Sequence, residues 1–203
     1  MTYYYQGLQI QTPFIITNNR QAFEVETLSL KRKTFVTEAQ RWELSFNVLT
    51  TGNEADLLAA HTWSYHSTKT MIMPQLPQVR KGYSFNGTLA ATVDNLAGSD
   101  TVLVTSSGQT GTATIPAGTF ISFAGHTKVY VIKSTISFTN GTTNIPLSIF
   151  PNLVYPVNTS QAVNLDASCL LSYKLDLSSG QGLSFTDGIL TSPGTIKLIE
   201  ALQ

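Results

Sequence analysis

The residues from which this chain could assemble a chemical centre are few: His61, His66, His126, Asp94, Asp100, Asp166, Cys169 and the run Lys31-Arg32-Lys33. His61 and His66 fall on or just past a short helical stretch. A spacing of five does not bring two side chains to one helix face, as three or four would. With no cysteine or acidic cluster beside them, they do not read as metal ligands. His126 sits between two strand-like runs, where a hydrogen-bonded turn histidine is the simpler reading. Two of the three aspartates, if folded together, would make the carboxylate pair of a glycoside hydrolase. Each lies in turn-like sequence, however, where aspartate is favoured for its own backbone hydrogen bonds. No G-x-S-x-G elbow, Walker loop or H-E-x-x-H signature occurs. The expectation is a protein that is not an enzyme, with no catalytic residue, cofactor or metal.

Cys169 is the only cysteine, so no internal disulfide is possible, and its neighbours Ala167, Leu170 and Leu171 mark it as a buried thiol. Lys31-Arg32-Lys33 is the one basic cluster. It reads either as a solvated strand end that protects an edge, or as an electrostatic contact to an acidic surface on a neighbouring subunit. A cluster this small gives only weak phosphate affinity, so no sequence-specific nucleic acid is expected. Twelve basic residues balance twelve acidic ones, and charged residues are 12% of the chain, about half the usual share. Such a chain sets up no long-range field toward nucleic acid or membrane, and its surface is poorly protected against self-association. No apolar run approaches the ~20 residues of a membrane span. The start, MTYYYQGLQI, lacks the basic-then-apolar pattern of an export signal. The sequons at Asn86, Asn140 and Asn158 then read as chance in a threonine-rich chain. The expected protein is made in a cytosol and stays soluble until it assembles.

The element around which the chain is organised is the stretch from Val25 to Thr50. Trp42, Leu44, Phe46 and Val48 alternate with Arg41, Glu43, Ser45 and Asn47, the period of a half-buried strand. Val25, Leu28 and Leu30 supply an earlier apolar run that ends in the basic cluster. Thr37 to Gln40 is polar enough to be the bend of a wide hairpin. Thr51-Gly52-Asn53-Glu54 has the spacing of a capping box and predicts a short helix through Leu57 and Leu58 to about Ser64. Another strand follows from Thr70 to Met73. Upstream, Tyr3, Tyr4 and Tyr5 open a segment in which Pro13 favours an edge strand or an extended arm. Tyrosine supplies contact area with a polar tip, so these three are candidate subunit contacts. The alternative is a first strand lying on its own sheet. Asn18-Asn19 is read as the turn into the hairpin.

This arrangement of basic first strand, polar bend, QRWELSF second strand and short helix resembles the tail-tube-type module of bacteriophages. That module is found in tube proteins, distal tail proteins and the baseplate proteins that start the tube. The likeness spans roughly the first 75 residues. It implies a β-sandwich module, a sixfold ring coaxial with the tube, neighbouring tail tube, baseplate hub or sheath proteins as partners, and a place in the virion after synthesis in the bacterial host cytoplasm.

Beyond Pro74 and Pro77 the texture changes to short β runs divided by Gly, Asn and Pro, and a domain boundary is placed there. Strands are predicted at Thr101 to Ser106, Phe120 to Phe123 and Lys128 to Ser134. A turn lies at Ile115 to Gly118 and a hairpin loop at Ala124 to Thr127. A second hairpin pairs Ser134–Thr139 with Asn144–Ile149 around Asn140-Gly141. Many short strands with almost no helical period predict a small β-barrel or sandwich. PAGTFISFAGHTKVYVI and IPLSIFPNLVYPV are similar to small β-barrel insertions of phage tail and other virion proteins. The tail from Gly182 to Leu202 is too short for a domain and should return to the first sheet.

The fold expected is therefore mainly β (α+β). Residues 1–77 with 181–203 form one discontinuous tail-tube-like domain, and 78–180 are an inserted small β-barrel. The function expected is a structural virion protein forming a ring at the tube–baseplate end. The alternative is a carbohydrate- or protein-binding β module, in which Trp63, Tyr65 and Tyr83 would stack on the ligand.

Overall fold

The computed structural model describes residues 2–5, 7–26, 32–49, 67–176, 184–186, 189–192 and 194–202. About half of the chain is strand, with one short α-helix among the described residues. The chain divides into two compact units, Met1–Met71 with Ser172–Ala201, and Ile72–Leu171 with Leu202–Gln203.

The first unit opens with β1 (Tyr4–Tyr5) and β2 (Leu8–Gln9), a tight hairpin whose turn residue Gly7 has φ +82°. The long strands β3 (Ile15–Glu26) and β4 (Arg32–Phe46) follow, then β5 (Lys69–Ile72). Asn18 and Asn19 lie inside β3, opposite Trp42 and Arg41, and so do not form a turn. The expected bend at Thr37 to Gln40 lies inside β4. Arg20 pairs with Gln40 and Ala22 with Val36, so Gln21 alone faces Thr37, Glu38 and Ala39. The polar stretch marks a β-bulge, which bends a strand without ending it. At the far end of the pair Glu26 stands opposite Arg32, and the residues between them lie outside the described ones. The expected capped helix at 51–64 lies outside the described residues.

In the second unit α1 (Pro77–Gly82) begins at Pro77, a position where the missing N–H costs nothing. The proline expected to break structure starts a helix instead. Then come β6 (Thr88–Ala91), β7 (Thr101–Ser107), β8 (Thr112–Ile115), β9 (Phe120–Phe123), β10 (Val129–Ile132), β11 (Ile136–Thr139), β12 (Ile145–Phe150) and β13 (Ala162–Leu165). Six of them close into a barrel in the order β10-β12-β7-β6-β13-β9. Alternation drives the closure: in β7, Val102 and Val104 are buried while Thr101, Leu103 and Thr105 are half-buried. Phe123, Tyr130, Ile132, Leu147 and Ile149 fill the interior with them. β9 is buried on both faces, and at its first residue the Gln75 amide donates to the Phe120 carbonyl and accepts from its N–H, both at 3.0 Å. At Gly87 any Cβ would lie 2.4 Å from the Ser107 carbonyl oxygen, so strand β6 can approach β7 only through glycine. β11 pairs with β8, not with β12 as expected. Its apolar residues Ile136 and Phe138 sit beside Ile115 and Ala113 on that strand.

The chain returns through β14 (Leu170–Leu175), β15 (Ser184–Thr186), β16 (Ile189–Ser192) and β17 (Ile196–Glu200). β15 and β16 pair with each other. The first unit's sheet has the order β3-β4-β17-β14-β5. β5 and β14 are adjacent in it, so the chain leaves this sheet on one strand and re-enters on its neighbour. The unit boundaries accordingly fall at 71/72 and 171/172, where 77/78 and 180/181 had been expected. The core of this unit gathers Trp42, Leu44, Phe46, Val48, Tyr173, Ile196 and Leu198, all buried.

Candidate assembly edge

β3 lies at an edge of the five-stranded sheet, hydrogen-bonded to β4 on one side only among the described residues. The direction of its backbone groups follows from one hydrogen bond. Trp42 N–H donates to Glu200 Oε2 at 3.0 Å, on the side of β4 that faces β17. Backbone groups alternate along an antiparallel strand, so Arg41, Glu43 and Ser45 point theirs at β3. Their partners Asn19, Thr17 and Ile15 point back. Ile16 and Asn18 therefore aim their backbone N–H and C=O away from the sheet.

The same hydrogen bond marks where the sheet narrows. β17 pairs with β4 from Phe46 to Glu43, and the buried Glu200 carboxylate satisfies the next donor, at Trp42. From there to Arg32, β4 pairs only with β3 among the described residues. At ~3.3 Å per residue this two-stranded ribbon runs for roughly 30 Å. A ribbon of two strands is marginal alone in water. Ile15 is 59% and Val25 52% exposed on β3. The polar side is braced where Asn19 Nδ2 donates to Glu43 Oε1 at 2.6 Å and Arg41 Nε lies 3.4 Å from the same oxygen.

The predicted contact residues distribute unevenly over this surface. Arg32 and Lys33 begin β4, opposite Glu26 and Val25, so the ribbon's end sets an acidic position against a basic one across the ladder. Lys31 lies outside the described residues. Tyr4 is 57% exposed. Tyr5 is fully buried, 5.5 Å from the Phe46 ring and 5.9 Å from that of Tyr173, and is a core residue and no contact. Tyr3 packs edge-on to Phe14 at 6.2 Å. The segment lies on its own unit: Gln11 N–H donates to the Asn47 carbonyl and Leu49 N–H to that of Gln9. Sequence reasoning missed Glu200 and the outward backbone at Ile16 and Asn18. Only the Ile-Glu end of a short strand hinted at the first.

The three aspartates considered for chemistry are each engaged by a different partner. Asp94 accepts from Thr159 N–H and hydroxyl at 2.6 and 2.8 Å, which holds its carboxyl below the usual range. Asp100 is held low by Lys133 at 3.0 Å and by Thr101. Asp166 takes both Arg80 nitrogens, at 2.8 and 3.3 Å. Beside that pair a cavity of about 100 Å³ is lined by Val79, Tyr83 and Thr119. Burial, with the Asp166 charge adding, pushes the Tyr83 hydroxyl up to about 12. Cys169 is buried as expected. His61, His66, Trp63 and Tyr65 lie outside the described residues. Among the described residues no group of three or more His, Cys, Asp or Glu could hold a metal. No helix among them is long and apolar enough to cross a membrane.

His126, in the β9–β10 loop, packs 5.9 Å from Phe123 and 5.6 Å from Tyr155, with Nδ1 buried and unpartnered. Burial lowers its pKa from the ordinary 6.5, against a smaller opposing effect from a hydrogen bond with the Pro156 backbone. A histidine depressed in the folded state binds its proton more readily when unfolded. Stability is thus intact above pH 6.5 and falls as pH drops below it toward the folded value. Urea midpoints should be lower at pH 5 than at pH 8, and His126→Gln should shrink that difference. An unchanged difference in the variant would assign the slope to other groups.

The chain matches no protein-family model, and no curated protein matches it significantly.

Proposed function

We propose that the chain is a structural subunit that assembles by sheet extension, forming a ring at the tube–baseplate end of a bacteriophage tail. The observation that carries this is the edge strand β3, twelve residues long with outward backbone groups at Ile16 and Asn18. Long open edges invite pairing, and soluble proteins blunt them with charge, proline or a covering element. The stretch of β3 before its bulge, Ile15 to Asn19, carries no charge or proline, and Ile15 there is exposed. The low charge and the resemblance of the first 75 residues to the tail-tube module point the same way. In this reading the first unit is the tail-tube-like β-sandwich. Its copies join heterologously in a closed ring, sixfold by that resemblance. Tail tube, baseplate hub or sheath proteins are its neighbours, the virion is its place, and its role is geometric with no catalytic step.

Lys31, Arg32 and Lys33, of which the last two begin β4, are the electrostatic contact in this reading. Changing all three to glutamate should block incorporation into tails while the isolated subunit keeps its circular dichroism spectrum and unfolding midpoint. Normal incorporation of that variant would remove the cluster from the interface.

A further inference from the structure

A second surface, on the barrel unit, has a different chemistry. After Ile132 the chain peels away from the barrel, and β11 pairs with β8 instead of continuing along β12. The space left between β11 and the start of β12 is a shallow, open groove of about 470 Å³. No charged residue lines it. Its lining takes Thr112 from β8 and Ser137 and Thr139 from the outer face of β11, with Phe138 and Ile145 as an apolar floor. The inner face of the same strands buries Ala113, Ile115 and Phe138, so the hydroxyls are held outward by the strand period.

Some of these hydroxyls are engaged on the chain: Thr114 Oγ1 with Ser137 Oγ at 3.1 Å, and Thr142 Oγ1 with the Thr139 carbonyl at 2.8 Å. The hydroxyls of Thr112 and Thr143 and the amide of Asn144 have no partner among the described residues and are exposed. Asn144 is fixed at φ +58°, at the rim of the groove. Pro146 is exposed on the opposite wall. Lys133 N–H donates to the Ser148 carbonyl, so Pro146, two residues earlier, turns its backbone to the same open edge. Having no N–H there, it cannot support the ladder of an incoming peptide strand.

We propose that this groove binds a neutral oligosaccharide. Hydroxyls and a carboxamide both donate and accept, which matches the hydroxyls of a sugar. The lack of charge disfavours an ionic ligand, which would lose hydration without gaining a counter-charge. Pro146 supplies an apolar surface for a sugar face and excludes strand addition. Tyr83, one of the stacking residues considered from sequence, lies in the separate cavity beside Arg80 and Asp166. The site is independent of the assembly edge and does not rest on it.

The test is titration calorimetry of the full chain with maltohexaose, cellohexaose, chitohexaose and mannohexaose, with a heparin hexasaccharide as the acidic counterpart. Amide chemical-shift mapping locates any binding. At least one neutral sugar should bind saturably, with equal affinity at low and high salt and shifts confined to residues 112–114 and 137–146. Asn144→Gly, which keeps the left-handed backbone, and Thr112→Val should each weaken binding about tenfold, the effect of one lost hydrogen bond. Both should leave the melting temperature unchanged. No neutral binding, binding of heparin alone, shifts elsewhere, or unaltered affinity in both folded variants would overturn the proposal.

Discussion

Replacing Trp42 by alanine is expected to cost about 3–5 kcal/mol of folding stability, the range for truncating a large buried aromatic residue. Trp42 is 6% exposed and shares its face of β4 with Leu44 and Phe46, which are buried beside it. Its backbone also holds the Glu200 carboxylate at the point where β17 ends, so the cavity would open where the sheet narrows to two strands. Chemical denaturation at constant m-value gives the loss directly. Ile15→Ala, at a site 59% exposed on the same sheet, serves as the control and should stay within ~0.5 kcal/mol. A Trp42→Ala loss no larger than that control would mean that this face of β4 is not the core.

The second large effect is on assembly. Asn18→Pro removes an N–H that points away from the sheet and leaves the bonds from Thr17 and Asn19 to β4 in place. Proline is tolerated on edge strands for that reason, and the extended Thr17 before it suits a following proline. The variant subunit should fold, and its incorporation into the proposed ring should be lost, because the proposed intermolecular ladder would lack one donor and meet the pyrrolidine in its place. Thr17→Pro, which removes a donor within the sheet, should instead destabilise the subunit itself. Wild-type incorporation by a folded Asn18→Pro variant would show that β3 is not the joining edge. Sedimentation of assembled particles, with circular dichroism of the free subunit, separates the outcomes.

Strands that alternate or lie between clear turns were legible in the sequence. Phe120–Phe123 is β9 as read, Thr101–Ser107 is β7 with one more residue, and the last strand does return to the first sheet beside β4. What misled was polarity. Thr37 to Gln40 and Asn18-Asn19 look like turns because half-buried strands usually carry apolar residues every second position. Here the cross-strand pairs of Asn18 with Trp42, Asn19 with Arg41 and Gln40 with Arg20 keep these polar residues in or beside the ladder. The Asn140-Gly141 turn was visible, with Gly141 at φ +72°, but the strand partners were not. Ile136 and Phe138 fit β8 and β12 equally well by period, and only the barrel's closure sends them to β8. The edge is harder still to read. Which N–H groups face outward depends on register, fixed here by the pairing of Thr17 with Glu43 and by the Glu200 carboxylate far along the chain. The tyrosine run shows the same limit, since burial separates Tyr5 from Tyr4 and composition does not.

The central claim is that β3 is joined by a strand of a neighbouring copy. A cryo-EM map of the native particle that contains the chain tests it most directly. The account predicts a closed ring of copies, with a neighbour's strand at hydrogen-bond distance, about 2.9 Å, from the backbone of Ile16 and Asn18. A chain present as a single peripheral copy, or a ring in which the β3 edge faces solvent, would contradict it.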